Sequence, residues 1–456
     1  MIQSVNPATG DTIEQYEAMS DGEIRTLVRD ASEAQKRWGR TDFEHRAGVM
    51  REAARLLRGR SGELAELMAR EMGKPLAQGV SEAEKCAWVC EYYADKAGEF
   101  LADEPLEADG GRSYLAFRPM GTVLAIMPWN FPFWQLFRFA APALMAGNGA
   151  LLKHAENVTR CALRIESLLH QAGVPGDLFR TVVAEVNQVQ DIIENPGIAA
   201  VTLTGSTRAG KAVASQAGAT LKKTVLELGG SDPYLVLEDA DLEMAAETCV
   251  TSRMINSGQS CIAAKRFIAV SSVFDAFSEL VVEKMNAQKT GDPFDEETDV
   301  GPMAREDLRV NLHRQVRVSR EEGARCLLGG HLPEGRGWFY PPTVLTDVEP
   351  GMPAWEEELF GPVASLIRAG SEEEAVEIAN DTSYGLGAAV FSRDTARAEE
   401  IAANRLEAGC CFVNSFVASD PRQPFGGVKE SGYGRELSRE GIREFVNRKT
   451  VFVSQQ

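Results

Sequence analysis

Cys261 ends the run Asn256-Ser-Gly-Gln-Ser-Cys261, and Glu227 opens Glu227-Leu-Gly-Gly230 34 residues upstream. A thiol attacks a carbonyl carbon as its thiolate, and a carboxylate can then activate the water that releases the resulting thioester. A lone cysteine is more often buried packing than nucleophile. The neighbours argue the other way. Gly258-Gln259-Ser260 predicts an exposed polar turn, and Gly229-Gly230 predicts a backbone able to approach a ligand closely. A second chemical signal is Gly205-Ser-Thr-Arg-Ala-Gly210-Lys211-Ala212, which follows an apolar run and comes close to a phosphate-cradling P-loop. Ala212 stands where that motif needs a hydroxyl for magnesium, which disfavours triphosphate hydrolysis. The same residues read better as Ser206 capping a helix whose free amides and positive end attract a diphosphate.

A large scaffold must position these groups. The chain has 456 residues, more than one ordinary core holds, so two large domains are expected. Its 44% apolar and 25% charged residues are the proportions of a soluble globular enzyme. A net charge of −19 argues against nucleic acid or an anionic membrane as partner. It also obliges any carboxylate ligand to find a local cationic pocket. The first residues carry no signal-peptide pattern. The most apolar stretch, 121–152, is broken by Asn130, by prolines and by Arg138, so no membrane span is expected. The eight cysteines lack metal-ligand or Cys-x-x-Cys spacing, and with five histidines available a cytoplasmic protein without metal is expected.

Apolar residues spaced by three and four (Leu56, Leu57, Leu64, Leu67, Met68) predict helices over 21–100, with Ser20 and Asp21 offering the first N-cap. Short apolar runs at 123–127, 149–153 and 199–203 are each followed by a helical pattern, which predicts a parallel sheet with crossover helices. A second alternating block opens at 233–237. The boundary is expected near 229–232, with Glu227 and Cys261 facing each other across a crevice.

The chain resembles the NAD(P)-dependent aldehyde dehydrogenase superfamily. The resemblance runs from Asn6-Pro-Ala-Thr-Gly10 to the C-terminal end. It rests on Pro128-Trp-Asn-Phe-Pro132, Leu152-Lys-His-Ala-Glu156, Thr204-Gly-Ser-Thr207, Glu227-Leu-Gly-Gly230, Gly258-Gln-Ser-Cys261, Glu358-Leu-Phe-Gly-Pro362 and Pro424-Phe-Gly-Gly427, in the family order. Leu152-Lys-His-Ala, Leu203-Thr-Gly-Ser and Gly229-Gly-Ser-Asp-Pro233 look most like the bacterial succinate-semialdehyde dehydrogenases. The resemblance implies an α/β fold of two open parallel-sheet, Rossmann-like domains with a small β oligomerisation arm. It puts a cofactor-binding domain at 1–100 and 120–229, a catalytic domain at 230–430, and oligomerisation segments at 101–119 and 431–456. The segments 113–117 and 449–453 read as sheet edges that pair between subunits of a homodimer or homotetramer.

The resemblance also implies the chemistry. Cys261 attacks the aldehyde; the Asn130 side chain and the Cys261 backbone amide meet the oxyanion; Glu227 activates water. Trp129, Lys153, Glu156, Gly205, Ser206, Glu358 and Phe360 match the cofactor positions. A carboxylate at Glu156 can bond both ribose hydroxyls and repel a 2′-phosphate, so NAD is expected to be preferred over NADP. At helical spacing Phe131, Trp134, Gln135 and Arg138 share a face, which in this family lines the aldehyde tunnel. Semialdehyde dehydrogenases carry arginine at the place of Arg138, and Ser419 matches their second carboxylate contact. A buried guanidinium also demands a carboxylate partner. Ile255 departs from the pattern, since some of those enzymes have a further arginine there. Succinate semialdehyde is therefore the expected substrate, with glutarate semialdehyde, a similar ω-oxo acid or another aldehyde as alternatives. A cofactor-independent cysteine esterase is the reading outside the class.

Overall fold

The computed structural model describes residues 1–454; residues 455 and 456, the last of the expected C-terminal segment, lie outside the described residues. Helices Asp21–Trp38, Phe43–Gly59, Ser61–Met72 and Leu76–Phe100 fill the stretch whose periodicity predicted them. Ser20 caps the first of these. Its hydroxyl accepts from the Glu23 amide, while the Glu23 carboxylate accepts from the Ser20 amide.

Two mixed sheets, parallel except at one edge strand each, carry the molecule. The first orders its six strands as Gly432–Tyr433, Lys223–Glu227, Ile198–Thr204, Thr122–Met127, Gly149–His154 and Phe179–Thr181; only Gly432–Tyr433 runs antiparallel. The second orders seven strands as Arg325–Leu328, Thr343–Thr346, Val363–Ala369, Arg266–Val270, Pro233–Val236, Gly387–Phe391 and Cys410–Val413, with only the first antiparallel. Ile126 apart, these central strands are buried along their length, which is why they read as continuous apolar runs rather than as alternation.

Strand direction places the chemistry. Met127 pairs with His154, and Thr204 with Glu227. The segments that follow these strands, bearing Asn130, Lys153 to Glu156, Ser206 and Glu227, therefore leave the first sheet at its C-terminal edge, where open α/β sheets bind ligands. Cys261 and Glu358 precede the strands Arg266–Val270 and Val363–Ala369, so both enter the second sheet at its N-terminal edge. The site lies where the two edges meet.

A third, antiparallel sheet joins Val446–Ser454, Gly111–Pro119 and Glu104–Leu106. The two segments expected to pair between subunits pair with each other here, from Val446 opposite Pro119 to Ser454 opposite Gly111. Along one edge each segment finds its complement within the chain, and Val446–Ser454 forms the outer strand of this sheet. Among the described residues no helix is long and apolar enough to cross a membrane.

Candidate active site

The nucleophile sits on a constrained loop. After the helix Leu242–Met254, Asn256 and Ser257 both take left-handed backbone conformations, with φ of 56° and 55°. Side chains cost energy there unless surroundings enforce the turn. The enforcement is visible: the Asn256 amide donates to Gln78 Oε1 at 2.7 Å, and its Nδ2 donates to the Asn130 carbonyl at 2.7 Å and the Gln259 carbonyl at 3.0 Å. Asn130 Nδ2 in turn donates to that Gln259 carbonyl at 3.1 Å. The oxyanion candidate and the nucleophile loop are thus tied together, with one of the two Nδ2 protons used in the tie.

The polar run Gly258-Gln259-Ser260 is buried, not exposed. Gln259 explains this reversal: its Oε1 accepts from the Ala304 amide at 2.9 Å and its Nε2 donates to the Asn256 carbonyl at 3.3 Å, so its polar atoms need no water. Cys261 itself is partly buried. Burial pushes its thiol up to about 12, against the pull of Arg138 and Lys265. The resting group is a thiol, and attack requires a proton acceptor.

Glu227 ends its strand 2% exposed, and neither carboxylate oxygen has a hydrogen-bond partner. Burial raises its pKa well above the usual carboxylate value; Arg138 and Arg435 oppose this and Glu436 adds to it. Arg138, from the helix Trp134–Met145, forms a buried ion pair with Glu436, lies over the Phe425 ring at 4.8 Å from its centroid, and donates to Thr204 Oγ1 at 3.3 Å. The carboxylate that a buried guanidinium demands is therefore supplied by the protein. This corrects the sequence argument: the burial of Arg138 does not by itself require a substrate carboxylate. Arg138 instead stabilises the charged forms of both Cys261 and Glu227.

A cavity of about 310 Å³ opens against Cys261, a size suited to a small molecule. Phe131, Trp134, Gln135 and Arg138 line it together, with Phe425, Ser419 and Lys85. The helix bearing Trp134 and Arg138 has no cap of its own. Glu82 Oε1, from the helix Leu76–Phe100, accepts from the Phe133 and Trp134 amides at 2.8 and 2.9 Å, and its other oxygen pairs with buried Lys74. Ser419 Oγ accepts from Lys85 Nζ at 2.9 Å and from Trp134 Nε1 at 3.0 Å.

The expected cofactor residues occupy the other side. Ser206 caps the helix Thr207–Ala219, its Oγ accepting from the Ala209 amide at 3.3 Å, while the Gly205 amide donates to the Glu227 carbonyl at 3.0 Å. Trp129 and Phe360 meet edge to face, centroids 5.7 Å apart. Glu358 accepts from the Gly230 amide at 3.1 Å and lies 3.5 Å from Lys265. Gly229 and Gly230 serve protein contacts: a Cβ at Gly229 would stand 2.6 Å from Glu358 Oε2, and one at Gly230 2.8 Å from the Cys261 carbonyl. Lys153 is buried and Glu156 exposed. Burial lowers the Lys153 pKa, and Glu156 partly offsets it. The capped helix end, the buried lysine and the aromatic pair fit a dinucleotide.

Sequence reading missed Lys265, Lys85 and Glu436. Lys265 donates to the Ser260 and Cys261 carbonyls at 3.0 and 2.7 Å, fixing the loop from within. No local motif marks it. Glu436 gains meaning only as the partner of Arg138, about three hundred residues away in the chain.

Comparison with known proteins agrees with this geometry. The Aldehyde dehydrogenase family pattern matches residues 1–451. A probable succinate-semialdehyde dehydrogenase [NADP(+)] of Synechocystis is 47% identical, covering 99% of this chain and 100% of its own. A succinate semialdehyde dehydrogenase [NAD(P)+] of Escherichia coli is 48% identical, covering 98% and 97%. The crystal structure of a Streptococcus pyogenes succinic semialdehyde dehydrogenase with NADP+ superposes at a TM-score of 0.97, with 37% identity and 100% of both chains covered. These names overturn the expectation that NAD is preferred over NADP. The physical reason is the exposure of Glu156: a carboxylate in water is screened and free to turn away, and Lys153 lies close enough to offset it. With a thiol, a buried carboxylate and a dinucleotide-suited sheet edge converging, and the pattern matched from end to end, the chain belongs to the aldehyde dehydrogenase family.

Proposed function

We propose that the protein oxidises succinate semialdehyde to succinate with NADP. The observation that carries this reading is the cavity in which Cys261 shares walls with Trp134, Arg138 and Ser419; the names of its relatives support it. Cys261 gives up its thiol proton through water to the Glu227 carboxylate as its sulfur bonds the aldehyde carbon, and the free Nδ2 proton of Asn130 and the Cys261 amide stabilise the oxyanion of the thiohemiacetal. Lys153, Glu156, Gly205, Ser206, Trp129, Glu358 and Phe360 would hold NADP, which when bound would supply the hydride acceptor that takes the thiohemiacetal to a thioester on Cys261. Glu227, its earlier proton returned to solvent, then takes a proton from the water that attacks the thioester carbon, and the C–S bond breaks with Cys261 leaving as thiolate. A buried carboxylate with a raised pKa suits that role, because it is a stronger base than an ordinary carboxylate. Ser419 faces the distal carboxylate, and Arg138, held by Glu436, lines the same cavity.

We also propose a cytoplasmic homodimer or homotetramer. The outer edge of Val446–Ser454 supports assembly, with Phe452 and Val453 51% and 47% exposed. Light scattering that returns a monomer at micromolar concentration would remove this part. The decisive assay follows NADPH formation with succinate semialdehyde, glutarate semialdehyde and butyraldehyde. Highest kcat/KM for the first is expected; a maximum for glutarate semialdehyde moves the assignment by one carbon, and no NADPH with any aldehyde refutes it.

A further inference from the structure

Three charged side chains line the cavity, and two are already neutralised: Glu82 by Lys74, and Arg138 by Glu436. The third, Lys85, has no carboxylate within ion-pair distance among the described residues. Its ammonium lies over the Trp134 ring, 4.3 Å from the centroid, and donates to Ser419 Oγ. A cation on an aromatic face is stabilised there without losing its net charge.

Ser419 sharpens the point. Its oxygen accepts from both Lys85 and Trp134, which fills both lone pairs. The hydroxyl proton must then point toward an acceptor, and the hydrogen bonds of Ser419 among the described residues provide none. Lys85 and Ser419 together form a patch of donors with net positive charge inside a cavity whose surface is mostly apolar. Such a patch suits a group that only accepts hydrogen bonds and carries negative charge.

We infer that Lys85 is the specificity-determining cation of this site, binding with the Ser419 hydroxyl the distal carboxylate of an ω-oxo acid whose aldehyde lies at Cys261. The inference rests on the proposed function and adds the residue that selects for charge. Burial and the facing Arg138 hold the Lys85 pKa down to about 8, while Cys86, Glu82 and Asp420 pull the other way. The sign follows directly. Below about pH 8 the ammonium is charged and attracts the carboxylate; as pH rises through that value the charge and the attraction are lost.

The test is steady-state kinetics of Lys85→Met with succinate semialdehyde and butyraldehyde. The ratio of their kcat/KM values is expected to fall about 30-fold or more, through KM for the oxo acid, because a buried charge pair has lost one partner. Lys85→Arg should restore part of the ratio. In the unaltered protein KM for succinate semialdehyde should climb above about pH 8, with no matching limb for butyraldehyde. An unchanged ratio in a folded Lys85→Met protein, checked by circular dichroism, overturns the inference. Should that variant fail to fold, Lys85→Gln is judged by the same ratio. An unaltered protein that favours butyraldehyde removes the ω-oxo acid reading and this inference with it, whereas a selective Lys85→Met removes the inference alone.

Discussion

The two sides of Cys261 treat charge in opposite ways. On the substrate side Arg138, Glu436 and Glu227 are each under 5% exposed, and every charge is either matched or strongly felt. On the cofactor side Glu156 stands in water beside a buried lysine. The same residue type therefore has different weight in the two places. In the interior a unit charge a few ångströms away shifts a pKa by whole units, while at the surface it changes binding by about 1 kcal/mol or less. That difference explains why a carboxylate at position 156 is weak ground for excluding NADP.

The comparison can be broken at several points. The largest effect belongs to the nucleophile: Cys261→Ala should lower turnover by about 10⁴-fold or more, while titration of NADP by fluorescence still shows binding. Retained turnover would move the chemistry elsewhere.

Next comes the buried charge cluster. Arg138→Leu leaves Glu436 and Glu227 uncompensated side by side, and both take up protons. About a 100-fold loss is expected on succinate semialdehyde and butyraldehyde alike, with an NADPH burst as the thioester accumulates. A loss confined to succinate semialdehyde would instead give Arg138 to the substrate carboxylate alone.

The unaltered protein offers a milder probe. The pKa of Glu227 is raised, so the group is protonated and idle as a base at low pH, and it becomes active as pH climbs through the raised value. Hydrolysis of the acyl-enzyme, measured in single turnovers, should accelerate about tenfold per pH unit on the acid side and then level off. A flat profile would separate Glu227 from the hydrolytic step.

The smallest effect is expected at the rim. Glu156→Ser should change the ratio of kcat/KM for NADP over NAD by about fivefold or less, as for a screened surface charge. A hundredfold change would show that water does not screen that carboxylate once the dinucleotide is bound.

Much of the site was legible in the chain. Helices over 21–100, the strands around 123–127, 149–153, 199–203 and 233–237 and the Ser206 cap follow from periodicity and capping chemistry, which act over a few residues. Trp134, Gln135 and Arg138 were readable for the same reason, because helical spacing puts them on one face, whereas Phe131 precedes the helix and reaches the cavity from the turn before it. Burial of Gly258-Gln259-Ser260 was not readable, since its partners Ala304 and Pro302 come from a distant segment. Nor was the intrachain pairing of 113–117 with 449–453, because an exposed edge looks the same in sequence whichever strand covers it.

By itself, then, the sequence determined the kind of chemistry: a thiol, a carboxylate and a helix cap in fixed order, each set by covalent identity and local backbone. Tertiary structure alone decided how those charges act. It gave Arg138 to Glu436, left Lys85 without a carboxylate partner among the described residues, buried Glu227 and exposed Glu156. Electrostatic weight depends on dielectric surroundings and on partners far away in the chain, and neither exists until the two sheets have met.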